Sequence, residues 1–292
     1  MNLLTAVLTW ANQQTIDCHS CTHPSNKCSG GCQDCLNEIH YWHGKPKENR
    51  RADYNCKRLA CEYVKTFAER YFWNIKSACK DIDFNNYDEI HILSIGCGVS
   101  PDLMAFEELA KGSNIKYRGI DISDQYGEFQ DVIRSYVHEK NIQFDFELRD
   151  VLNPEEGQSR TDIYNVIVMQ YFISSALGAG WQRREILALF SDLVDVVLSR
   201  WYESESTSPF LFILNDADSL NTGRDCFFKL IDILEEKGYS GAAYAYSSHT
   251  TGDLGRQRWS LRKEKEGYEN IRYSYSSCTS NGSAALTIEV TK

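Results

Sequence analysis

"YDEIHILSIGCGVSPDL", residues 87–103, decides how this chain folds. Ile90, Ile92, Leu93 and Ile95 form a short apolar run rich in β-branched residues, as expected of a buried parallel strand. The run passes directly into Gly96-Cys97-Gly98, then into a helical pattern carrying Leu103, Met104, Phe106 and Leu109. Strand, glycine turn and helix in that order make the nucleotide-binding opening of a doubly wound sheet. Glycine lets backbone approach a ligand closely, and the helix start favours the ligand's polar or anionic part. Cys97, inside the turn, reads as a small spacer rather than a nucleophile.

Working outward, the next strand ends carry polar residues at the same edge. "IKYRGIDIS" reads as a second strand, and Asp121 ends its apolar part about 25 residues after the glycines. A carboxylate there can accept hydrogen bonds from two ribose hydroxyls, or it can cap the turn that follows through "DISD". "IQFDFELRDVL" is a third strand with Asp150 just beyond it. "YNVIVMQYFISSAL" is a fourth with Gln170 and Tyr171 at its end, and "PFLFILNDAD" is a fifth. Helical patterns separate most of these strands: "EFQDVIRSYVHEK", "WQRREILALFSDLVDVVLSRW" and "DCFFKLIDILEEKG". Alternating strand and helix means an α/β fold with a mostly parallel sheet. In the closing stretch, Asn281-Gly282 predicts a hairpin turn between two strands.

From about residue 87 to 292 the chain resembles class I S-adenosylmethionine-dependent methyltransferases, through "LSIGCGVSPDL" and the acidic residues at the next two strand ends. The resemblance implies a seven-stranded, doubly wound sheet whose last strand is antiparallel. It also implies a role for each matching residue. Gly96, Cys97 and Gly98 would approach the cofactor's amino-acid part. Asp121, followed by Ile122, would hold the ribose hydroxyls. Asp150 and Val151 would bracket the adenine, and Gln170 would sit beside the methionine portion facing the acceptor.

Two departures narrow the function. Ser100-Pro101 stand where a third glycine often occurs, which argues against a nicotinamide-binding fingerprint. The fourth strand ends Met-Gln-Tyr-Phe, not Asn or Asp before Pro-Pro and an aromatic. No Pro-Cys occurs in the expected place either, so no DNA-methylation motif is present. Candidate groups for handling a proton on the acceptor are Gln170, Tyr171 and Asp216, with Asp218 beside the last; His249, further along the chain, reads as a solvent-exposed histidine rather than a catalytic one. "NDAD" can equally cap the following helix. The methyl acceptor is open at this stage: protein, RNA or small molecule. A cofactor-binding subunit that has lost chemistry, serving as a sensor or assembly protein, is the alternative.

The N-terminal segment reads differently. Cys18/Cys21 and Cys32/Cys35 form two C-x-x-C pairs, with Cys28 between them and Cys56 beyond. Such knuckles suit tetrahedral zinc, and His23, His40 and His43 could complete a second ion. Residues 1–80 are thus expected to form a cysteine-rich, zinc-binding helical module, and residues 81–292 the α/β domain. The module carries 11 Lys and Arg against 7 Asp and Glu, +4, whereas the rest carries 20 against 34, −14. So acidic a body is a poor non-specific nucleic-acid binder. Lys45, Lys47, Arg50, Arg51, Lys57 and Arg58 make either a solvated loop or a small surface for a protein or RNA partner. The opening "MNLLTAVLTWANQQ" reads as a short amphipathic helix and not a secretory signal. No apolar run reaches the ~20 residues of a membrane span, and the expected location is cytoplasmic.

Overall fold

The computed structural model describes residues 1–14, 57–152, 162–217, 223–247, 271–275 and 283–292. Its strands are β1 Glu89–Ile95, β2 Asn114–Asp121, β3 Ile142–Leu148, β4 Val166–Gln170, β5 Phe210–Ala217, β6 Ser240–Ser247, β7 Ile271–Tyr275 and β8 Ser283–Thr291. They make one sheet in the order β3-β2-β1-β4-β5-β8-β6-β7. β1 to β5 pair parallel to one another, and β8 runs antiparallel between β5 and β6. The first seven in that order are the expected doubly wound sheet with its one antiparallel strand. β7 adds an eighth, parallel to β6 at the edge.

The predicted hairpin is corrected. β7 pairs with β6, and β8 lies between β5 and β6, so β7 and β8 are not partners. Asn281 and Gly282 themselves fall outside the described residues.

Helices cover both faces: α1 Leu3–Gln13, α2 Lys57–Ala78, α3 Pro101–Leu109, α4 Gly127–Val137, α5 Phe172–Ala179, α6 Arg183–Asp192, α7 Ser199–Glu203 and α8 Phe227–Glu236. A π-helical stretch, Leu193–Leu198, joins α6 to α7. Side-chain alternation along the strands divides the core. On β5, Leu211 and Ile213 pack with α1 to α4, while Phe210, Phe212 and Leu214 pack with α5 to α8.

The first two helices belong to this core. Leu3 and Val7 of α1 and Val64 and Ile75 of α2 are fully buried in the same cluster as Ile90 and Ile92 of β1. Val64, Ala68, Phe72 and Ile75 recur at helical spacing and give α2 its apolar stripe. Asn2 caps α1 by accepting from the Thr5 amide, and the Leu3 amide donates to Glu107 of α3. The described ends of the N-terminal segment are therefore held by apolar packing on the sheet.

That corrects the zinc reading. Among the described residues no group of three or more His, Cys, Asp and Glu is gathered as a metal site requires. Cys61, Cys79, Cys97 and Cys226 are free and buried among them. Cys18, Cys21, Cys28, Cys32, Cys35 and Cys56, with His23, His40 and His43, lie outside the described residues. Neither a zinc module nor a zinc cofactor is carried forward. The basic stretch from Lys45 to Arg51 lies outside as well; Lys57, which opens α2, pairs with Glu128 of α4. Among the described residues no helix is long and apolar enough to cross a membrane.

Candidate functional site

A cavity of about 460 Å³ opens at the carboxyl ends of β1, β2, β3 and β4, roofed by α2. Gly96, Cys97, Gly98, Asp121, Ile122, Asp150, Val151, Gln170 and Tyr171 all line it. Residues up to 75 positions apart in the chain thus meet in one place, because parallel strands all end at the same edge.

The glycine turn is held from three directions. The Gly96 and Cys97 amides both donate to the Ile120 carbonyl of β2, at 2.8 and 3.1 Å. The Gly98 amide donates to Asp121 Oδ2 at 2.8 Å, and the Gly98 carbonyl accepts from Gln130 Nε2 of α4. Both glycines have positive φ, +68° and +52°, which L-residues disfavour. Cys97 is buried, and burial pushes its thiol well above the ordinary value, so it is no thiolate nucleophile. It fills space instead: a Cβ on Gly119 would come within 2.6 Å of its sulfur.

Asp121 performs one of the two duties read for it as alternatives, the turn cap, and adds a bond to the glycine turn. Its Oδ1 accepts from the Ser123 amide at 2.9 Å, capping the turn after β2. Its Oδ2 fixes Gly98. Burial raises its pKa, and the amides of Ser123, Gly98 and Ile122 oppose that rise. An ionised carboxylate has about four acceptor positions, so lone pairs remain for a ligand. Ile122 beside it is 69% exposed, an uncovered apolar side chain on the cavity wall. Asp150 accepts from the Leu152 amide at 3.0 Å and turns the chain after β3.

At the other end, Gln170 Nε2 donates to the Tyr71 carbonyl at 2.8 Å and to Asn215 Oδ1 at 3.3 Å. Its Oε1 is buried without a hydrogen-bond partner. Tyr171 sits at positive φ, +54°, at the start of α5, and accepts from Asn74 Nδ2 at 3.1 Å. Its ring stacks on Tyr71 with centroids 4.4 Å apart.

Asp216 is not at this site. It is fully buried, with Oδ2 accepting from the Ser174 amide and Oδ1 from the Ala217 amide, at 2.9 and 2.7 Å. It fixes the first turn of α5, a helix that precedes it in the chain and not the following one that "NDAD" was read as capping, and it does not line the cavity. Asp218 and His249 lie outside the described residues.

Two sets of lining residues escaped the sequence reading. Tyr63 and Tyr71 of α2 line the roof, and their hydroxyls lie 3.0 Å apart. Tyr63, Phe67 and Tyr71 recur every four residues and so share one helical face, a signal visible in the sequence. The second is Asp102, in the first turn of α3 and 1% exposed. Burial pushes its carboxyl up from 3.8 to about 6, against favourable bonds from Ser94, Tyr117 and the Leu103 amide.

The sign of that shift has a consequence. Folded Asp102 keeps its proton to higher pH than the unfolded chain does, so stability from this group falls as pH rises from 3.8 to about 6. Asp102→Asn is therefore expected to be more stable than the native chain at pH 7, by about 2–3 kcal/mol. The gain should shrink toward nothing near pH 4. Urea unfolding of both proteins at the two pH values measures it.

No known family's sequence profile matches the chain, and no curated protein matches it. Among solved structures it is similar to the plantazolicin methyltransferase BpumL in complex with a pentazolic desmethylPZN analog and SAH, at 12% identity over 90% of this chain and 99% of that one, with a TM-score of 0.44. PigF with SAH is similar at 10% identity, over 89% of this chain and 69% of that one, with a TM-score of 0.45. Human N-acetylserotonin methyltransferase in complex with SAM is similar at 12% identity over 98% of this chain and 70% of that one, with a TM-score of 0.43.

Proposed function

We propose that this chain binds S-adenosylmethionine in the cavity at the carboxyl edge of the sheet and transfers its methyl group to a small-molecule acceptor held under α2. One observation carries the reading. The glycine turn, the carboxylates after β2 and β3, and the polar end of β4 line a single cavity in the order a nucleoside with an amino-acid tail requires. The residues fit that cofactor. Asp121 keeps acceptor capacity for a ribose hydroxyl after bonding its neighbouring amides. Ile122 and Val151 offer apolar faces for adenine, and Asp150 can accept from its amino group.

When bound, the cofactor supplies an electrophilic methyl carbon on a sulfonium. The chain's own part is alignment and exclusion of water. Gln170 lines the cavity at the end of β4, where the cofactor's methionine end would meet the acceptor, and is held there by the Tyr71 carbonyl and Asn215. Tyr63, Tyr71 and Tyr171 enclose the acceptor side with aromatic rings. The roof formed by α2 favours an acceptor small enough to enter beneath it.

Incubation with cofactor labelled in its methyl group, against cell extract fractionated into RNA, protein and small molecules, tests the reading. Label is expected in the small-molecule fraction. Label in protein or RNA would contradict the acceptor class. Cofactor binding with no label in any fraction would favour a non-catalytic sensor or assembly subunit.

A further inference from the structure

The cavity has two chemically different ends. Its charged lining residues are Asp102, Asp121, Arg149 and Asp150, all in the first turn of α3 or at the ends of β2 and β3. The end under α2 is aromatic. Tyr63 and Tyr71 come from the roof, Tyr171 and Phe172 from the start of α5, and Trp181 from just beyond that helix. Among the described residues, α2, β4 and α5 bring no carboxylate, ammonium, guanidinium or imidazole to the wall.

The rings are fixed by their neighbours. Phe67, Tyr71 and Tyr171 stack in series, with centroids 5.7 and 4.4 Å apart and ring planes 19° and 25° from parallel. Tyr63 meets Tyr71 edge-on at 6.0 Å. Tyr171 joins the stack at φ +54°, a left-handed backbone that bulky residues rarely adopt and that collects at binding sites. It is pinned at both ends: its amide donates to the Asn215 carbonyl at 2.7 Å, and its hydroxyl accepts from Asn74 of α2 at 3.1 Å. A wall held this way loses little freedom when a ligand packs on it, and aromatic rings favour another ring in stacked or edge geometry. To a charged group the described wall returns nothing for the water it gives up. A cavity of about 460 Å³ is the size for one drug-sized ligand, so beside the cofactor only a small acceptor fits.

We propose that the acceptor presents an uncharged, planar aromatic ring to this wall, and that Tyr171 sets the preference for it. The inference rests on the proposed methyl transfer and goes further by naming the acceptor's chemical class. Such a site distinguishes an aromatic ring from its saturated counterpart and from the same ring carrying a charge.

Calorimetric titration of the chain saturated with S-adenosylhomocysteine tests it, using naphthol, its fully saturated counterpart decahydronaphthol, and naphthoate, which keeps the rings and carries a carboxylate. Decahydronaphthol is the more apolar, so burial alone would favour it. The native chain is expected to bind naphthol at least about fivefold more tightly than either of the others. Tyr171→Leu keeps the β-carbon and so the backbone cost, and should cut the preference over decahydronaphthol to less than about twofold. Tyr171→Phe keeps the ring and should keep the preference. Equal or weaker binding of naphthol by the native chain, or no binding of any probe while S-adenosylhomocysteine is held, would overturn the proposal without needing a variant and leave the cofactor reading standing. A full preference retained in Tyr171→Leu would overturn the part given to Tyr171. Failure of the native chain to hold S-adenosylhomocysteine would instead refute the cofactor reading itself.

Discussion

Gly96→Ala is expected to abolish cofactor binding and to destabilise the fold by about 2–5 kcal/mol, combining a left-handed backbone with overpacking. The residue has φ +68°, and an added Cβ would lie 2.8 Å from Phe172 Cδ2 and 3.1 Å from Phe172 Cβ. Phe172 opens α5 and lines the cavity, so relief of the clash moves the wall that the ligand touches. Gly98→Ala is the internal comparison. Its φ is +52°, but the nearest atom to an added Cβ is 3.8 Å away on Tyr126. Backbone strain alone then acts, and about 1–2 kcal/mol is expected. Thermal and urea unfolding of the two variants measures the difference, and titration with S-adenosylhomocysteine reports binding.

Asp121→Ala should weaken cofactor binding at least tenfold, about 1.4 kcal/mol, through loss of charge-assisted bonds to the ribose. The structure adds the bond to Gly98 to the turn cap that the sequence offered as an alternative. The amides of Gly98 and Ser123 lose their acceptor, so the variant also loses stability, by about 1–3 kcal/mol. Asp150→Ala makes a milder pair, because among the described residues that carboxylate accepts only from the Leu152 amide. Calorimetry and unfolding on both variants measure the two effects separately. Unchanged affinity in Asp121→Ala would reduce that residue to a turn cap.

Much of this arrangement was legible in the chain, and the reason is physical. A strand buried on both faces must be apolar along its length, so β1, β4 and β5 stand out as runs, and polar residues at their ends mark the ligand edge. β6 was missed because "SGAAYAYS" has little aliphatic bulk. Its glycine explains why. A Cβ on Gly241 would lie 1.9 Å from the Glu289 carbonyl oxygen of β8, so close pairing excludes larger residues. The hairpin failed because Asn-Gly signals a turn but does not say which strand comes alongside, and β6 takes the place beside β8.

Asp102 escaped because an acidic residue in a helix's first turn looks like an ordinary dipole partner. Only its burial against Tyr117 distinguishes it. Asp216 misled for the converse reason: a strand-end carboxylate looks catalytic until its backbone partners are seen. The cysteine pairs misled most, since spacing suggests metal wherever thiols cluster, while α1 and α2 reach the core by apolar contacts.

Titration of the 292-residue chain with S-adenosylhomocysteine, S-adenosylmethionine and NAD tests the central claim most directly. The account predicts saturable binding of the first two at one site per chain, with NAD at least tenfold weaker. NAD binding more tightly than either, or no binding of the two sulfur nucleosides to folded protein, would contradict it.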